Sequence, residues 1–384
     1  MKRILVVAND SPYPLNYATA HDTWGHIQSL KNLGFKVDLV VTVNSLPPEE
    51  DIRVLSTAGG HVSIVERQRN WKAAVGVLPF QIRSRKGLET IRLEEEYEAV
   101  VLESEHVAAI LKNPSLRAKR SILRLNNNEA RFFSELSKSS RNLFLKAFHR
   151  VEAAKYRWLS PAIMSSCNAL WFVSDYEMKE HLKKHPNHSG KSFFVPPRVE
   201  VDAMRRRSLQ GQTVLFIGTL AFANNVRAVE WYVSRIHPSL CNIPGYSFVV
   251  AGNTRGGSNG AIAKLARSHA RVSLHENPKD LESLYGNAAV FINPVFRGSG
   301  LKIKNIDAIR AGVPVVTTSI GVEGSGLIPG KHLLVADSEE PFEASVRTLL
   351  SNKHMAQEIA MSAQDFLAKE YDQERIIQHA LARM

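Results

Sequence analysis

The sequence has 384 residues, of which 44% are hydrophobic, and its formal net charge at pH 7 is +12. This length suffices for two ordinary domains with separate cores, and the composition excludes a disordered or fibrous chain. The two cysteines, Cys167 and Cys241, lack ligand spacing, so we expect neither a disulfide framework nor a zinc site, and a reducing cytoplasm is the natural setting.

The excess positive charge indicates an anionic partner. No basic motif with interleaved aromatic residues of the single-strand-binding kind accompanies it, so we expect no nucleic acid partner and favour an anionic membrane surface. No apolar run approaches the length of about twenty residues that crosses a bilayer. The expected protein is cytoplasmic, either free or peripheral on the inner face of the cell membrane.

The first half of the chain alternates short β-branched runs with segments of helical periodicity. It begins with a strand at residues 4–8, a helix at 19–33 and a strand at 35–43. This alternation predicts an α/β domain with a parallel sheet and helices on both faces. No G-x-G-x-x-G fingerprint follows the first strand, which argues against an oxidoreductase.

Polar loops follow several predicted strands of this half. A long loop at residues 9–21 follows the first strand, and three consecutive asparagines follow the strand at 121–125. Ligands of open sheets bind at the carboxyl ends of the strands, so these loops are candidate ligand sites. His106, after the strand at 100–103, is either a capping or core residue or a minor catalytic candidate.

Residues 133–159 form a long, basic and partly amphipathic helical stretch. Leu143, Phe144, Phe148 and Trp158 are interleaved there with lysines and arginines. The pattern suits a helix at an anionic membrane interface. It equally suits a helix that packs on the sheet with a solvated basic face, and the sequence leaves both open.

The most informative stretch is residues 290–324. An apolar run at 290–295 leads into the loop Arg297-Gly298-Ser299-Gly300, after which Ile303, Ile306 and Ile309 recur three apart. Gly312 ends the helical period, and another β-branched run follows at 315–318. The sequence therefore predicts a strand, a glycine loop, a helix and a strand.

The residues on this predicted helix favour a phosphate ligand. A helix that starts after two glycines presents unpaired N–H groups, and Lys302 and Lys304 add positive charge to its first turn. Asp307, about one turn further on, offers a carboxylate to the hydroxyls of a sugar. A nucleoside diphosphate would fit both features, although Lys304 and Asp307 could also be a simple i,i+3 surface pair.

The run RGSGLKIKNIDAIRAGVPVVTTSIGVEG resembles the donor-binding segment of the retaining glycosyltransferases of family 4, the group 1 glycosyltransferases. On that match Lys302 stands where arginine is usual, Lys304 falls on the family lysine, and Asp307 falls on the glutamate that holds the ribose. Ser299 stands where many members carry another glutamate, so the identity of the sugar does not follow.

The resemblance also implies roles for other residues. The implied catalytic residues are Lys302, Lys304 and Asn126, which occupies the position of a family histidine near the reacting sugar. The implied nucleotide-sugar-binding residues are Gly218, Thr219, Gly298, Ser299, Gly300, Leu301, Asp307 and Glu323. The implied acceptor-side residues are Asn16, His21, Asn127, Asn128 and Glu129. Asn224 and Asn225 are expected to cap the helix that follows the turn Gly218-Thr219-Leu220.

The family implies the GT-B fold, in which two Rossmann-like, doubly wound parallel-sheet domains face each other across a cleft. Residues 1–197 would bind the acceptor and 213–365 the nucleotide sugar. A polar hinge at 198–212 would join them, and a terminal helix at 366–384 would cross back to the first domain.

The activity that the resemblance implies is transfer of a sugar from a nucleotide-diphosphate sugar to a glycan or polyprenyl-linked acceptor, with retention. The setting would be bacterial surface polysaccharide or glycolipid synthesis, without metal or cofactor. The alternatives are a nucleotide-sugar 2-epimerase, which the asparagines disfavour because it needs proton-carrying groups, and a non-catalytic nucleotide-sugar-binding protein.

Overall fold

The computed structural model describes residues 2–14, 18–57, 59–68, 76–140, 142–200, 211–254, 257, 260–298 and 300–384. The chain divides into two compact units, the first comprising Met1–Arg198 with Gln373–Met384 and the second Val199–Asp372. Most of the predicted hinge, at 201–210, lies outside the described residues.

The first unit is built on a parallel sheet. Its strands in chain order are β1 (Arg3–Ala8), β2 (Lys36–Val43), β3 (Gly59–Glu66), β4 (Glu96–Tyr97), β5 (Ala99–Leu102), β6 (Arg117–Ala118), β7 (Ser121–Leu125), β8 (Ala169–Phe172) and β9 (Ser192–Phe194). Seven of them form one sheet in the order β3-β2-β1-β5-β7-β8-β9, and β4 pairs with β6. Runs such as RILVVA are buried almost throughout, as expected for a parallel sheet covered on both faces.

Helices connect these strands. The α-helices of the first unit are Ala18–Asn32, Glu49–Ser56, Phe80–Arg83, Glu129–Ser139, Leu143–Ser166, Asp175–Lys184 and Gln373–Ala382, and the 3₁₀ helices are Lys86–Glu89, Glu105–Lys112 and Pro186–Lys191. The prediction of a single helical stretch at 133–159 is wrong, because two helices, Glu129–Ser139 and Leu143–Ser166, share this segment. The second one starts after Asn142, whose side chain accepts from the backbone N–H groups of Phe144 and Leu145.

The second unit contains a six-stranded parallel sheet. Its strands are β10 (Gln212–Ile217), β11 (Tyr246–Gly252), β12 (Val272–Glu276), β13 (Val290–Asn293), β14 (Val315–Thr317) and β15 (Leu334–Val335), in the order β12-β11-β10-β13-β14-β15. Numbered within the unit this is 3-2-1-4-5-6, the order of the doubly wound Rossmann fold. Its helices are Ala223–Arg235, His237–Leu240, Gly260–Ser268, Leu281–Asn287, Ile303–Arg310, Ser319–Val322, Glu339–Ser351 and Lys353–Glu370.

The C-terminal segment differs from the single helix predicted at 366–384. The helix Lys353–Glu370 belongs to the second unit, and a separate helix, Gln373–Ala382, belongs to the first. Ile377 and Ala380 are buried in the core around β1, and Gln373 Nε2 donates to the Pro196 carbonyl at 2.7 Å. Of the helices in the described ranges, none combines the length and apolar character needed to cross a bilayer.

The strand order fixes where each sheet is open to a ligand. In the second unit β10 lies between β11 and β13, so the chain leaves its carboxyl end in opposite directions on the two sides. In the first unit β1 lies in the same way between β2 and β5. Ligands of doubly wound sheets bind at such switch points, so the loops after β10 and β13 are where a site is expected.

Candidate functional site

The loop after β10 is fixed to the end of β11. The Gly218 N–H donates to the Ala251 carbonyl at 3.0 Å, and the Leu220 N–H donates to the Asn253 carbonyl at 2.8 Å. A Cβ on Gly252 would lie 1.7 Å from the Gly218 carbonyl oxygen. Gly252 therefore lets the two strand ends approach and sets the position of Gly218 and Thr219.

We expect Gly252→Ala to lower the free energy of unfolding of the second unit by about 1–3 kcal/mol, because the new methyl group must displace the backbone of Gly218. Chemical denaturation followed by circular dichroism measures this. Gly286→Ala is the matched control, since nothing lies within 4 Å of its Cβ position. Equal stability of the two variants would contradict the proposed role of Gly252.

The helix Ile303–Arg310, here called the site helix, follows β13 through a glycine loop. Gly298 and Gly300 have φ of +133° and +74°, a backbone region that favours glycine. Lys302 holds the N-cap position, and its Nζ donates to the Gly300 carbonyl at 2.6 Å. Leu301 lies partly buried between them. Ser299 lies outside the described residues.

Lys304 is the side chain that joins the two loops. Its Nζ donates to Asn225 Oδ1 at 2.7 Å and lies 4.7 Å from the centre of the Phe216 ring. Asn225 Nδ2 in turn donates to the Thr219 carbonyl at 2.9 Å. A Cβ on Gly218 would lie 3.2 Å from Lys304 Nζ. The structure thus brings together Lys304, Gly218 and Thr219, three of the predicted site residues.

The electrostatics of Lys304 favour an anionic ligand. Burial, and then the charge of Lys302, lower the pKa of Lys304 to about 7. Within the described part of the chain, no carboxylate lies within ion-pair distance of its Nζ. A bound diphosphate would supply the missing negative charge and favour the protonated amine.

Asn225 is a site residue that sequence reasoning assigned to the wrong role. The helix Ala223–Arg235 begins before Asn224, its N-cap is Phe222, and no side chain caps it. The prediction that Asn224 and Asn225 are caps is therefore wrong. Asn225 lies in the first turn, where its amide bridges the Thr219 carbonyl and Lys304 Nζ.

Buried amides hold the site helix against the strand ends. Asn305 Nδ2 donates to the Gly321 carbonyl at 2.9 Å, and Asn305 Oδ1 accepts from Asn293 Nδ2 at 2.9 Å. Thr317 Oγ1 donates to the Asn293 carbonyl at 2.8 Å. Sequence reasoning missed this network, whose signal was the polar residue at the end of each apolar strand. It fixes the orientation of the site helix relative to β13 and β14.

The two predicted carboxylates lie on neighbouring elements of this edge. Asp307 is partly buried on the site helix, one turn after Lys304. Burial and then the Asp307 charge raise the pKa of Tyr285 well above its usual value. Glu323, also partly buried, directly follows the helix Ser319–Val322 at the end of β14.

In the first unit, Asn126 lies on a buried ionic network at the ends of β5 and β7. Arg124 donates to both oxygens of Asp22 at 2.7 Å and to Glu103 Oε2 at 2.9 Å. His26 Nδ1 lies 2.5 Å from Glu103 Oε1. Asn126 Nδ2 donates to the Glu103 carbonyl at 3.2 Å. Although burial acts to raise it, Arg124 and His26 hold the pKa of Glu103 at about 2.

The acceptor-side residues have more diverse positions. Asn128 caps the helix Glu129–Ser139, since its Oδ1 accepts from the Arg131 N–H at 2.9 Å, while Asn127 is partly buried in the preceding turn. Glu129 is buried, with Oε2 3.2 Å from His106 Nε2. His21 is exposed in the first turn of the helix Ala18–Asn32. Asn16 lies outside the described residues.

The glycine loop and the site helix with its lysine lie at the switch point of a doubly wound sheet, which makes the second unit an α/β domain of the Rossmann type. Residues 211–352 match the model of the family "Glycosyl transferases group 1". An uncharacterized 44.6 kDa protein in the cps region of Klebsiella pneumoniae is 30% identical over an alignment of 388 positions, which covers 98% of this chain and 98% of that protein. The chain therefore belongs to the group 1 glycosyl transferases.

Solved structures agree on the fold. Sucrose-phosphate synthase from Thermosynechococcus elongatus matches with a TM-score of 0.72 and 13% identity, over 99% of this chain and 97% of that one. A Staphylococcus aureus TarM variant, in complex with fondaparinux, α-GlcNAc-glycerol and UDP, matches with a TM-score of 0.70 and 10% identity, over 100% and 99%. The predicted GT-B fold is confirmed, and the protein is a glycosyltransferase.

Proposed function

We propose that this glycosyltransferase moves a sugar from a nucleoside-diphosphate sugar to a glycan or polyprenyl-linked acceptor, with retention as in family 4. The observation that carries the donor assignment is Lys304, held by Asn225 beside Gly218 and Thr219 without a carboxylate partner in the described chain. The cps-region relative supports surface polysaccharide or glycolipid synthesis. The UDP in the TarM complex supports a uridine donor.

In the proposed reaction the diphosphate binds at the N-terminus of the site helix, between Lys302 and Lys304. Negative charge grows on the leaving diphosphate as the bond to the sugar breaks, and the lysines stabilise it. The acceptor hydroxyl attacks from the same face, and its proton passes to the leaving phosphate oxygen. Asp307 would accept from the ribose hydroxyls, and Asn126 would hydrogen-bond the sugar. The lysines and the helix supply the positive charge, so we propose neither a resident metal nor a cofactor.

A nucleotide-sugar 2-epimerase is the second candidate, and the pair His106 and Glu129 is the observation that favours it. The two side chains lie 3.2 Å apart in the part of the first unit that follows β5 and β7. A histidine and a carboxylate can exchange a proton, which epimerisation requires. Product that forms only with an added acceptor identifies the transferase, whereas product from the nucleotide sugar alone identifies the epimerase.

The donor site predicts binding of one nucleotide class. We expect a thermal-shift panel of UDP, GDP, ADP and their sugar conjugates to give stabilisation with a single base, of about 2.7 kcal/mol at a hundred times Kd. Asp307→Ala is expected to reduce the shift, because the ribose hydroxyls lose their acceptor. Absence of a shift with every nucleotide would contradict the donor site.

We also propose that the helix Leu143–Ser166 binds an anionic membrane surface, which would place the enzyme in the cytoplasm on the inner face of the cell membrane. One face packs in the core through Ala153, Tyr156 and Ile163. On its exposed side Phe144 is 87% and Trp158 67% accessible. Of the basic residues of this helix, Arg150 and Arg157 are exposed and Lys146 is half-buried, whereas Lys155 pairs with the buried Glu152 at 2.7 Å. The buried side of the helix thus fits the alternative of packing on the sheet, and the exposed side is the surface that we propose binds the membrane.

We expect Phe144→Ser with Trp158→Ser to weaken binding to anionic liposomes at least tenfold, since burying an aromatic side chain contributes about 1.5–3 kcal/mol. Cosedimentation with vesicles of phosphatidylglycerol and phosphatidylcholine measures this. Phe222→Ser, at a half-exposed position of the second unit, is the control. Equal binding of the wild type to neutral vesicles would contradict the membrane proposal.

A further inference from the structure

A cavity of about 780 Å³ lies within the first unit. It is open to solvent on one side and bordered by the helix Phe80–Arg83, the 3₁₀ helices Lys86–Glu89 and Glu105–Lys112, and the last third of the helix Leu143–Ser166. This volume is typical of sites for small organic molecules. None of the residues assigned above to donor or acceptor lines it.

Eight of the fourteen described residues that line the cavity are apolar, and Gln68 and Ser166 are its uncharged polar residues. Leu78, Ile82, Leu111, Leu159 and Ile163 line it. Ile82 and Ile163 also belong to the hydrophobic core of the first unit, so the floor of the cavity is continuous with that core. The smaller side chains on the wall are Ala108, Ala109 and Ala162. Such a surface suits a hydrocarbon chain better than a hydroxylated sugar.

The charged residues of the cavity are predominantly basic. Arg83, Lys86 and Lys112 line it against one carboxylate, Glu89. Lys86 and Lys112 are exposed, and among the described residues no carboxylate lies within ion-pair distance of either. The cavity therefore combines an apolar wall with a cationic rim. Its complement is an amphiphile with an anionic head.

We propose that this cavity binds the hydrocarbon chain of a lipid phosphate, with the phosphate at Lys86 and Lys112. This rests on the proposed function and deepens it, because it assigns the acceptor to the lipid-linked phosphates. Trp158, exposed one helical turn before Ala162, brings the cavity next to the face proposed to bind the membrane. A lipid acceptor would enter the cavity from that surface.

The first test is calorimetric titration of the full-length protein with octyl, decyl and dodecyl phosphate below their micelle concentrations. We expect each added methylene to tighten Kd by up to about fourfold, the value for burial of a methylene in an apolar site. Decyl maltoside, with a neutral head, is expected to bind at least tenfold more weakly, and inorganic phosphate alone not measurably. Independence of Kd from chain length, or equal binding of decyl maltoside, would overturn the proposal.

Two variants test whether dodecyl phosphate binds in this cavity. Ala162→Trp fills the cavity and Lys112→Glu reverses the charge of its rim, and each is expected to weaken dodecyl phosphate binding at least tenfold. The matched controls are Ala261→Trp, at an exposed position of the helix Gly260–Ser268, and Lys184→Glu in the first unit, neither of which lines the cavity. If Ala162→Trp fails to fold, Lys112→Glu carries the test. Wild-type affinity in Lys112→Glu would overturn the assignment.

Two sources of lipid phosphate are distinguished by a second titration. Geranyl phosphate is expected to bind at least tenfold more tightly than dihexanoyl phosphatidylglycerol, and the reverse order would overturn the acceptor role in favour of a membrane phospholipid.

The thermal-shift panel of nucleotides distinguishes failure of this inference from failure of the proposed function. A nucleotide shift without alkyl phosphate binding overturns only the inference, whereas alkyl phosphate binding without any nucleotide shift leaves the cavity assigned as an alkyl phosphate site and removes the proposed donor site on which the acceptor role rests.

Discussion

Lys304→Ala is expected to lower the rate of acceptor-dependent sugar transfer about ten- to a hundredfold, because a charge-assisted contact to the leaving diphosphate is worth about 1.5–3 kcal/mol. Initial rates at saturating donor measure the effect on kcat, and titration with the nucleotide measures the effect on binding. Lys331→Ala, at an exposed lysine of the same unit, is the control. Unchanged turnover in Lys304→Ala would remove this lysine from the mechanism.

The same lysine predicts a pH dependence. In the free protein the pKa of Lys304 is about 7, and a bound diphosphate raises it, so the complex holds more protons than its components near pH 8. Nucleotide affinity should therefore increase as the pH falls from 9 to 7 and level off below the pKa of the free lysine. Titrations in buffers of different ionisation enthalpy report this proton uptake. A pH slope that persists in Lys304→Ala would assign the uptake to another group.

Loss of activity must be separated from loss of folding, and Lys304→Met does so. Burial opposes the charge of this amine, so a methionine of similar length on the Phe216 ring removes a desolvation cost. We expect the free energy of unfolding to stay constant or rise while transfer slows as much as in Lys304→Ala. Such opposition between stability and activity is typical of residues retained for function.

How much of this site could be predicted depended on how far apart in the sequence the contacting residues are. The strand, loop, helix and strand of residues 290–318 were evident because apolar periods and glycines are local features, and the structure places them within one or two residues. Asn225 was misassigned because its partner, Lys304, is 79 residues away. A side chain that bridges two loops has the same local signature as a helix cap.

In the first unit, too, contacts between residues far apart in the sequence could not be predicted. Arg124 lies within an otherwise apolar run, SILRL, which predicts a buried strand and says nothing of how a buried charge is neutralised. Its partners Glu103 and Asp22 are 21 and 102 residues away, and only the order of the sheet brings them together. The break between the helices Glu129–Ser139 and Leu143–Ser166 did have a local signal, the cap Asn142.

Arg124→Met is expected to lower the free energy of unfolding of the first unit by about 3–5 kcal/mol, because Asp22 and Glu103 would remain buried without their cation. Urea unfolding followed through the buried Trp171 reports on this unit. Lys119→Met is the control, since Lys119 is exposed in its pair with Glu98 and such pairs contribute at most about 1 kcal/mol. Equal losses in both variants would contradict the network.

The pH dependence of stability tests the same network independently. The pKa of Glu103 is about 2 in the folded protein against an ordinary value of 4.5, so its ionised form stabilises the fold above pH 4.5, and this contribution disappears as the pH falls from 4.5 to 2. Without Arg124 the pKa of Glu103 rises, and acid unfolding should begin at a higher pH. Asn126 is bonded to the Glu103 carbonyl, so transfer should also slow in Arg124→Met under conditions where the unit remains folded. An unchanged acid transition would mean that His26 alone keeps Glu103 ionised.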